Sequence, residues 1–393
     1  MAHWAFRKLP PPARASLKHT LLQEEEKPSV DINLLLHQGR SALMRDMPPG
    51  ARRLLSAGCS GAWYFDWVEK TYGHVLEHVG VEYYSPQPDN LPDNVTWISN
   101  TVGNMSGVPS ATCDLAISGQ NIEHLWPGDA VGFLLEAARV LRPGGTLCID
   151  SPNRAITSRV FWSHPEHTVE YTVPEIRNLL ELAGFSVTKT AGIWLCQDPK
   201  TKRVLAYDPN VADQDWSVTE RMVSGRDKPE SSLLWWLEGR RLDKAPDEDA
   251  IRRAIDDIFA KAWPERTQRL VVPSQWKIDE RTDGAWVRVP TGSDGVVFFG
   301  PYMPLRAGTH RVIFDIEMTP EARAPVARFE VTSGMDAKIV ASREALPGEK
   351  KIEIGFEIPE LVFGGQFRCI SFGRSAFSVH RHVDFQEDLR DGT

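Results

Sequence analysis

The chain has 393 residues, 41% of them hydrophobic and 25% charged. At about 150 residues per domain that length gives two or three domains, and the composition excludes disordered, collagen-like and low-complexity classes. The 45 Lys and Arg against 53 Asp and Glu leave a net charge of −8, which argues against general nucleic-acid binding.

Residues 1–30, with a PPP run and an EEE cluster, read as a loosely ordered arm; Trp4, Phe6, Arg7 and Lys8 leave a docking or membrane-surface role open. No run reaches the ~18 apolar residues of a membrane span, and no apolar signal-peptide core opens the sequence. From about residue 50, strand and helix patterns alternate. ARRLLSAG (51–58) reads as a buried strand, AWYFDWVEKTYG (62–73) as a helix, and HVGVEYY (78–84), VTWIS (95–99) and CDLAISG (113–119) as further strands. Ala130, Phe133, Leu134, Ala137 and Leu141 repeat at helical spacing before Pro143, and TLCIDSP (146–152) is the next strand. Thr172 and Glu175 have capping-box spacing at the head of a helix over 172–185. Segments 185–196 and 231–242 follow as strands joined by a long polar insertion, so a doubly wound parallel sheet is expected. A helix over 250–263 is expected to end at Pro264, after which the period changes from 3.6 to 2. Val312, Phe314, Ile316 and Met318 share one side of a strand, as do Ile352, Ile354, Phe356 and Ile358. The expected organisation is an arm (1–30), an α/β domain (31–265) and an all-β sandwich (266–393).

The five cysteines, Cys59, Cys113, Cys148, Cys196 and Cys369, have no CxxC or His-rich spacing. Neither a disulfide framework nor a structural zinc site is expected, and a reducing cytoplasm is the simplest compartment.

Gly58 and Gly61 stand between the first strand and its helix, where glycine permits close approach of a ligand to the main chain. Glu82 ends the second strand, where a carboxylate can take both hydroxyls of a ribose. Asn104 and Met105 follow the third strand and offer an amide and an apolar side chain to a purine. Together with IEHL (122–125), EAARVLRPGGTLCIDSPN (136–153) and AGF (183–185), these segments resemble class I S-adenosylmethionine-dependent methyltransferases over about residues 38–242. The resemblance implies a Rossmann-like fold and S-adenosyl-L-methionine as cofactor. It also implies that Gly58, Cys59 and Gly61 cradle the methionine part, Glu82 holds the ribose, Asn104 and Met105 the adenine, and Gln120 the sulfonium side. Tyr83, beside Glu82, is either a cofactor contact or a packing aromatic. Where the family's turn begins with an acid and continues with glycines, this chain has Ser56, Ser60 and Ala62. The methionine ammonium therefore lacks its usual carboxylate.

A hydroxyl acceptor must lose a proton, a task suited to histidine. His164 and His167, in the loop after the fifth strand, are candidates, and His124 is a third. No metal site is expected there, because no carboxylate array of clear spacing accompanies the pair. Trp162, Trp194 and Trp216 are candidate pocket walls, the insertion 197–229 could close over the acceptor, and Trp235 and Trp236 read as core. The phrase GPYMPLRAGTHRVIF (300–314) resembles jelly-roll, carbohydrate-binding-module-like domains of bacterial polysaccharide-modifying enzymes. A purely structural sandwich is the alternative. The pairing implies an O-methyltransferase for a bacterial surface polysaccharide such as O-antigen, or its lipid-linked precursor, working in the cytoplasm or at the inner face of the membrane. The implied partner is a glycan or lipid-linked oligosaccharide rather than nucleic acid, with oligomeric state open. A small-metabolite methyltransferase and a non-catalytic scaffold remain as alternatives.

Overall fold

The computed structural model describes residues 29–160 and 162–389. All but the last two residues of the expected arm lie outside the described residues. Asp31 caps α1 (Ile32–Arg45), its carboxylate accepting from the Asn33 amide. The chain then forms β1 (Arg53–Ala57), α2 (Ala62–Thr71), β2 (Glu77–Glu82), β3 (Val95–Ser99), β4 (Cys113–Gly119), α3 (Pro127–Val140) and β5 (Leu141–Pro152). A short α4 (Arg154–Thr157) follows, then α5 (Val173–Leu182), β6 (Phe185–Leu195), α6 (Val218–Arg226), β7 (Ser232–Arg241) and α7 (Glu248–Thr267). At the head of α5 the Glu175 carboxylate accepts from the Thr172 amide at 2.8 Å, as the capping-box spacing predicts.

β1 to β7 make one sheet in the order β3-β2-β1-β4-β5-β7-β6. β1 is central: the chain winds outward through β2 and β3, then returns to add β4 and β5 on the other side. The strand order thus reverses between β1 and β4, where open α/β sheets bind ligands at their carboxyl ends. The sheet is mixed rather than parallel throughout, because β7 runs antiparallel to both β5 and β6. No crossover helix carries β6 back to the starting edge, so β7 returns beside it and slots in against β5. Alternation across the strands covers both faces. Leu55, Trp235 and Leu237 face α3, α5 and α7, whereas Leu54, Ile117 and Trp236 pack with Phe65, Trp67 and Met44 of α2 and α1. Trp235 and Trp236 are thus core on opposite faces, as read from the sequence.

Pro264 lies inside α7, which continues to Thr267. Local propensity would end a helix there, but the last turn is anchored from outside: Trp263 donates to Glu387 Oε2, and buried Arg266 donates to the carbonyls of His164 and Tyr302.

Beyond α7 the described residues form strands only: β8 (Lys277–Arg281), β9 (Gly284–Val289), β10 (Asp294–Phe298), β11 (Pro301–Leu305), β12 (Gly308–Met318), β13 (Ala327–Ser333), β14 (Lys338–Glu344), β15 (Lys351–Ile358), β16 (Val362–Phe372) and β17 (Phe377–Leu389). One sheet has the order β15-β12-β17-β9-β8; the other has β10-β16-β13-β14, with β11 also on β16. The antiparallel pairs β9–β17, β10–β16, β12–β15 and β13–β14 are nested within one another. Nested pairs shared between two sheets are jelly-roll topology. Ile352, Ile354, Phe356 and Ile358 point inward to the core between the sheets, with Phe314, Phe329 and Phe367.

Candidate active site

The carboxyl ends of β1 and β2 are tied together by main-chain donors. Gly58 N donates to Val81 O at 2.9 Å, and Ser60 N donates to Glu82 Oε2 at 2.8 Å. Oε1 of Glu82 accepts from the amides of Tyr83, Tyr84 and Ser85, which leaves uncommitted acceptor capacity on Oε2 alone. Gly58 has φ +75°, and a Cβ there would meet Asn121 Oδ1 at 2.6 Å, so glycine is required. Gly61 opens α2 without a side-chain cap, so the first amides of that helix remain available to an anionic group. A side-chain-free cradle, uncapped amides and a carboxylate on the neighbouring strand fit S-adenosylmethionine, its carboxylate on the α2 amides and its ribose beside Glu82.

Ser56, where the family has an acid, is buried and hydrogen-bonds His78 Nε2 at 2.7 Å. Burial lowers the His78 pKa to about 4, so a neutral pair fills this position. Cys59 is buried, and burial raises its thiol to about 12, leaving an inert side chain and only its main chain for a ligand. Tyr83 is exposed and packs edge-on against Tyr84.

Asn104 is exposed, but Met105 corrects the sequence expectation. Its side chain is fully buried in the core shared with Val102, Val108 and Phe133. Its main chain is also occupied, the amide donating to Glu136 and the carbonyl accepting from Arg139. A methionine one residue beyond an exposed loop position was drawn inward by the space beneath α3, and it has nothing left to offer adenine.

Gln120, at φ +55°, donates from Nε2 to Asp150 Oδ2 at 2.7 Å, while its amide donates to the Asp150 carbonyl. Arg40 of α1 pairs with the same carboxylate at 2.8 Å and lies over the Trp67 ring. The sequence reading missed the Arg40–Asp150 pair, since the two stand 110 positions apart in the chain.

The second cluster lies where the turn Ile122–His124 meets the loop 162–170. The rings of His164 and His167 stack at 4.5 Å, His124 stands edge-on to His167 at 4.7 Å, and Trp162 flanks both loop histidines. All three candidate bases therefore converge. Glu170 anchors them: its carboxylate accepts from Thr157 Oγ1 at 3.0 Å and meets His167 Nδ1 at 3.2 Å and Arg269 at 3.2 Å, with Arg266 at 3.8 Å. Burial alone would raise the Glu170 carboxyl, but Arg269, the His167 bond and Arg266 hold it far below the usual carboxylate range. The proton of His167 is therefore fixed on Nδ1, and the Nε2 lone pair is free. Burial lowers all three imidazoles, His124 and His164 to about 4 and His167 well below its ordinary value, so the three rings are neutral at pH 7.

Glu123 is fully buried beside them; burial pushes its carboxyl up to about 8 against a smaller opposing pull from its own amide and the Ser151 hydroxyl, and neither oxygen makes a hydrogen bond of good geometry. A further carboxyl group is thus supplied to the histidines from some forty positions earlier in the chain. Its signal was the IEHL segment itself, where Glu123 adjoins His124. Glu170 stands three residues after His167 and had that spacing as its signal, whereas nothing local marked Arg266 or Arg269, which reach the carboxylate only from the far end of α7.

Of the three tryptophans read as pocket walls, only Trp162 stands beside this cluster. Trp194 is core: fully buried, it donates from Nε1 to Tyr207 O and has the Arg221 guanidinium 3.8 Å from its ring centre. Trp216 donates to Asp198 within the insertion, and that insertion docks on α1 and β6 through Arg226–Asp46 and Arg221–Leu195 O.

Residues 55–149 match the family model described as a methyltransferase domain. A probable S-adenosylmethionine-dependent methyltransferase of Mycolicibacterium smegmatis is 33% identical over 147 residues, covering 36% of this chain and 55% of that protein. A protein of the same description from Mycobacterium tuberculosis is 29% identical over 181 residues, covering 44% and 64%. The chain thus spans between about half and two thirds of the length of these relatives. Among solved structures, an S-adenosylmethionine-dependent methyltransferase of Archaeoglobus fulgidus has a TM-score of 0.38 at 18% identity, covering 54% of this chain and 95% of that one. A Burkholderia thailandensis N1-methyltransferase with bound S-adenosylhomocysteine scores 0.35 at 16%, covering 53% and 79%. The matched residues lie within the half of the chain built on the seven-stranded sheet, which is thus similar to S-adenosylmethionine-dependent methyltransferases. Among the described residues no helix is long and apolar enough to cross a membrane.

Proposed function

We propose that this protein transfers a methyl group from S-adenosylmethionine to a hydroxyl of a sugar in a polysaccharide or its lipid-linked precursor. One observation carries the reading: the histidine loop is held jointly by the methyltransferase sheet and the jelly roll. Ser163 Oγ donates to Pro301 O at 2.7 Å, Arg266 joins the His164 and Tyr302 carbonyls, and the Thr168 hydroxyl bonds Glu123 O on the sheet side. A cleft of about 530 Å³ continues from Pro165 and Glu166 onto Met335, Asp336, Lys338 and Phe363 of the β half. An acceptor longer than one sugar would touch both halves there, since Pro165 and Glu166 at one end of the cleft adjoin His164 and His167 in the chain.

The cofactor supplies a methyl group activated on a sulfonium. The acceptor oxygen forms the new C–O bond as the methyl–sulfur bond breaks, and the hydroxyl proton is taken up beside the neutral imidazoles. The chain's own contribution is to align the acceptor, exclude water and keep those imidazoles unprotonated.

Transfer of label from S-adenosylmethionine to a panel of oligosaccharides and small metabolites tests the proposal. Label on oligosaccharides, lost in the His164→Ala/His167→Ala double variant, is the expected result. Label only on small non-sugar acceptors overturns the glycan reading, and absence of cofactor binding by calorimetry overturns the enzyme reading.

A further inference from the structure

We infer that Glu123, His124 and His167 form a binding site for a divalent transition-metal ion. One ligand atom from each lies within 4.8 Å of the others. The arrangement is specific at the atomic level. Glu170 takes the Nδ1 proton of His167, so its Nε2 presents a lone pair, and that nitrogen stands 3.9 Å from Glu123 Oε1. The gap is too long for a hydrogen bond. Two potential ligand atoms therefore face each other in a buried place, and the second oxygen of Glu123 makes no hydrogen bond of good geometry either. Burial favours the protonated carboxyl while the place is empty, and a cation about 2.0–2.2 Å from each ligand atom would displace that proton.

The donor set agrees. Two imidazoles and one carboxylate select a first-row transition ion over magnesium or calcium, and three protein ligands leave coordination positions open. Glu170, with Arg266 and Arg269 behind it, orients His167 as outer-shell carboxylates orient metal-bound histidines. The turn Ile122–His124 supplies two ligands from one side and the 162–170 loop the third from the other, so the ion would also staple the two segments. His124 is only partly buried, so the site is open to solvent on that side.

The inference deepens the proposed methyl transfer by naming what acidifies the acceptor hydroxyl, and for that role alone it rests on that reading. A hydroxyl coordinated in an open position gives up its proton far more readily, as weakly basic imidazoles require.

The test is Co²⁺ titration of the full chain stripped with chelator, followed by visible ligand-field absorption, with Zn²⁺ binding measured by calorimetry. Neither cofactor nor acceptor is present. The expected result is one ion per chain with nitrogen-ligand bands, weakened at least tenfold in Glu123→Gln, which keeps the side-chain volume, and in the partly exposed His124→Ala. Near-UV circular dichroism verifies that both variants are folded. No stoichiometric binding, or binding equal to wild type in both folded variants, overturns the site. Sugar methylation without ion binding sinks this inference and leaves the proposed function standing; ion binding without methylation does the reverse.

Discussion

The two regions at the carboxyl edge of the sheet are built on opposite plans. The cofactor edge uses main chain: glycine φ values, helix amides and four amide donors around Glu82, nearly all within residues 58–85. The histidine cluster uses side chains: Glu123, His124, His167, Glu170, Arg266 and Arg269 arrive from three segments and are packed together, with the charge on Glu170 and the two arginines. Binding a constant cofactor needs a fixed backbone shape. Under the proposed function, handling a proton at a variable acceptor needs tuned charge, and the charge of Glu170 here is set by an arginine pair, Arg266 and Arg269.

The sharpest way to break the comparison is Glu170→Ala. It leaves Arg266, Arg269 and the Nδ1 of His167 without their buried partner, and a loss of about 3–5 kcal/mol in unfolding free energy is expected by denaturant titration. Cofactor affinity of the molecules that remain folded should stay at the wild-type value, because no residue of the cofactor edge touches this carboxylate. A parallel loss of affinity would mean that the regions are coupled. Next in size is Met105→Ala, which empties core beneath α3 and should cost about 2–5 kcal/mol. Asn104→Ala, one position away on the exposed loop, should leave stability within about 0.5 kcal/mol. Equal effects would return Met105 to the ligand side.

How much was legible follows from the same contrast. The Gly58–Gly61 turn, the Glu82 strand end and the capping box at Thr172 are local patterns, and alternation read the strands of both halves correctly. Met105 was misplaced because spacing alone does not distinguish a loop side chain that turns inward from one that turns out. Pro264 was read as a stop because the anchors that carry α7 past it, Glu387 and the carbonyls of His164 and Tyr302, come from elsewhere in the chain. The direction of β7 could not be read from its composition. The histidines were found but the carboxylates that give them direction were not: Glu123 meets His167 only through tertiary contact, and Glu170, three residues after His167, takes its charge from arginines about a hundred positions away.

Acid titration measures a neutral pair at the cofactor edge. Burial lowers His78 to about 4 from 6.5, so between those values the unfolded chain binds a proton that the folded chain does not. The stability contributed above pH 6.5 is therefore lost as pH falls through that window, by up to about 3 kcal/mol for this residue. His124 and His164 act in the same direction. His78→Gln should flatten part of the decline in melting temperature between pH 6.5 and 4. An unchanged slope would assign the whole effect to the histidine cluster.

The smallest expected effect separates main chain from side chain within the cofactor edge itself. Tyr83 is 62% exposed, so Tyr83→Ala should move stability by no more than about 0.5 kcal/mol. Its amide still donates to Glu82 Oε1 at 3.1 Å whatever the side chain is. The carboxylate thus keeps its position, and calorimetric affinity for S-adenosylmethionine should fall by no more than about fivefold, roughly 1 kcal/mol. Glu82→Gln replaces one oxygen with a donor facing amides that are themselves donors, so it should weaken binding considerably more. If Tyr83→Ala proves as damaging as Glu82→Gln, the aromatic is part of the cofactor pocket. The edge would then share the side-chain plan of the histidine cluster.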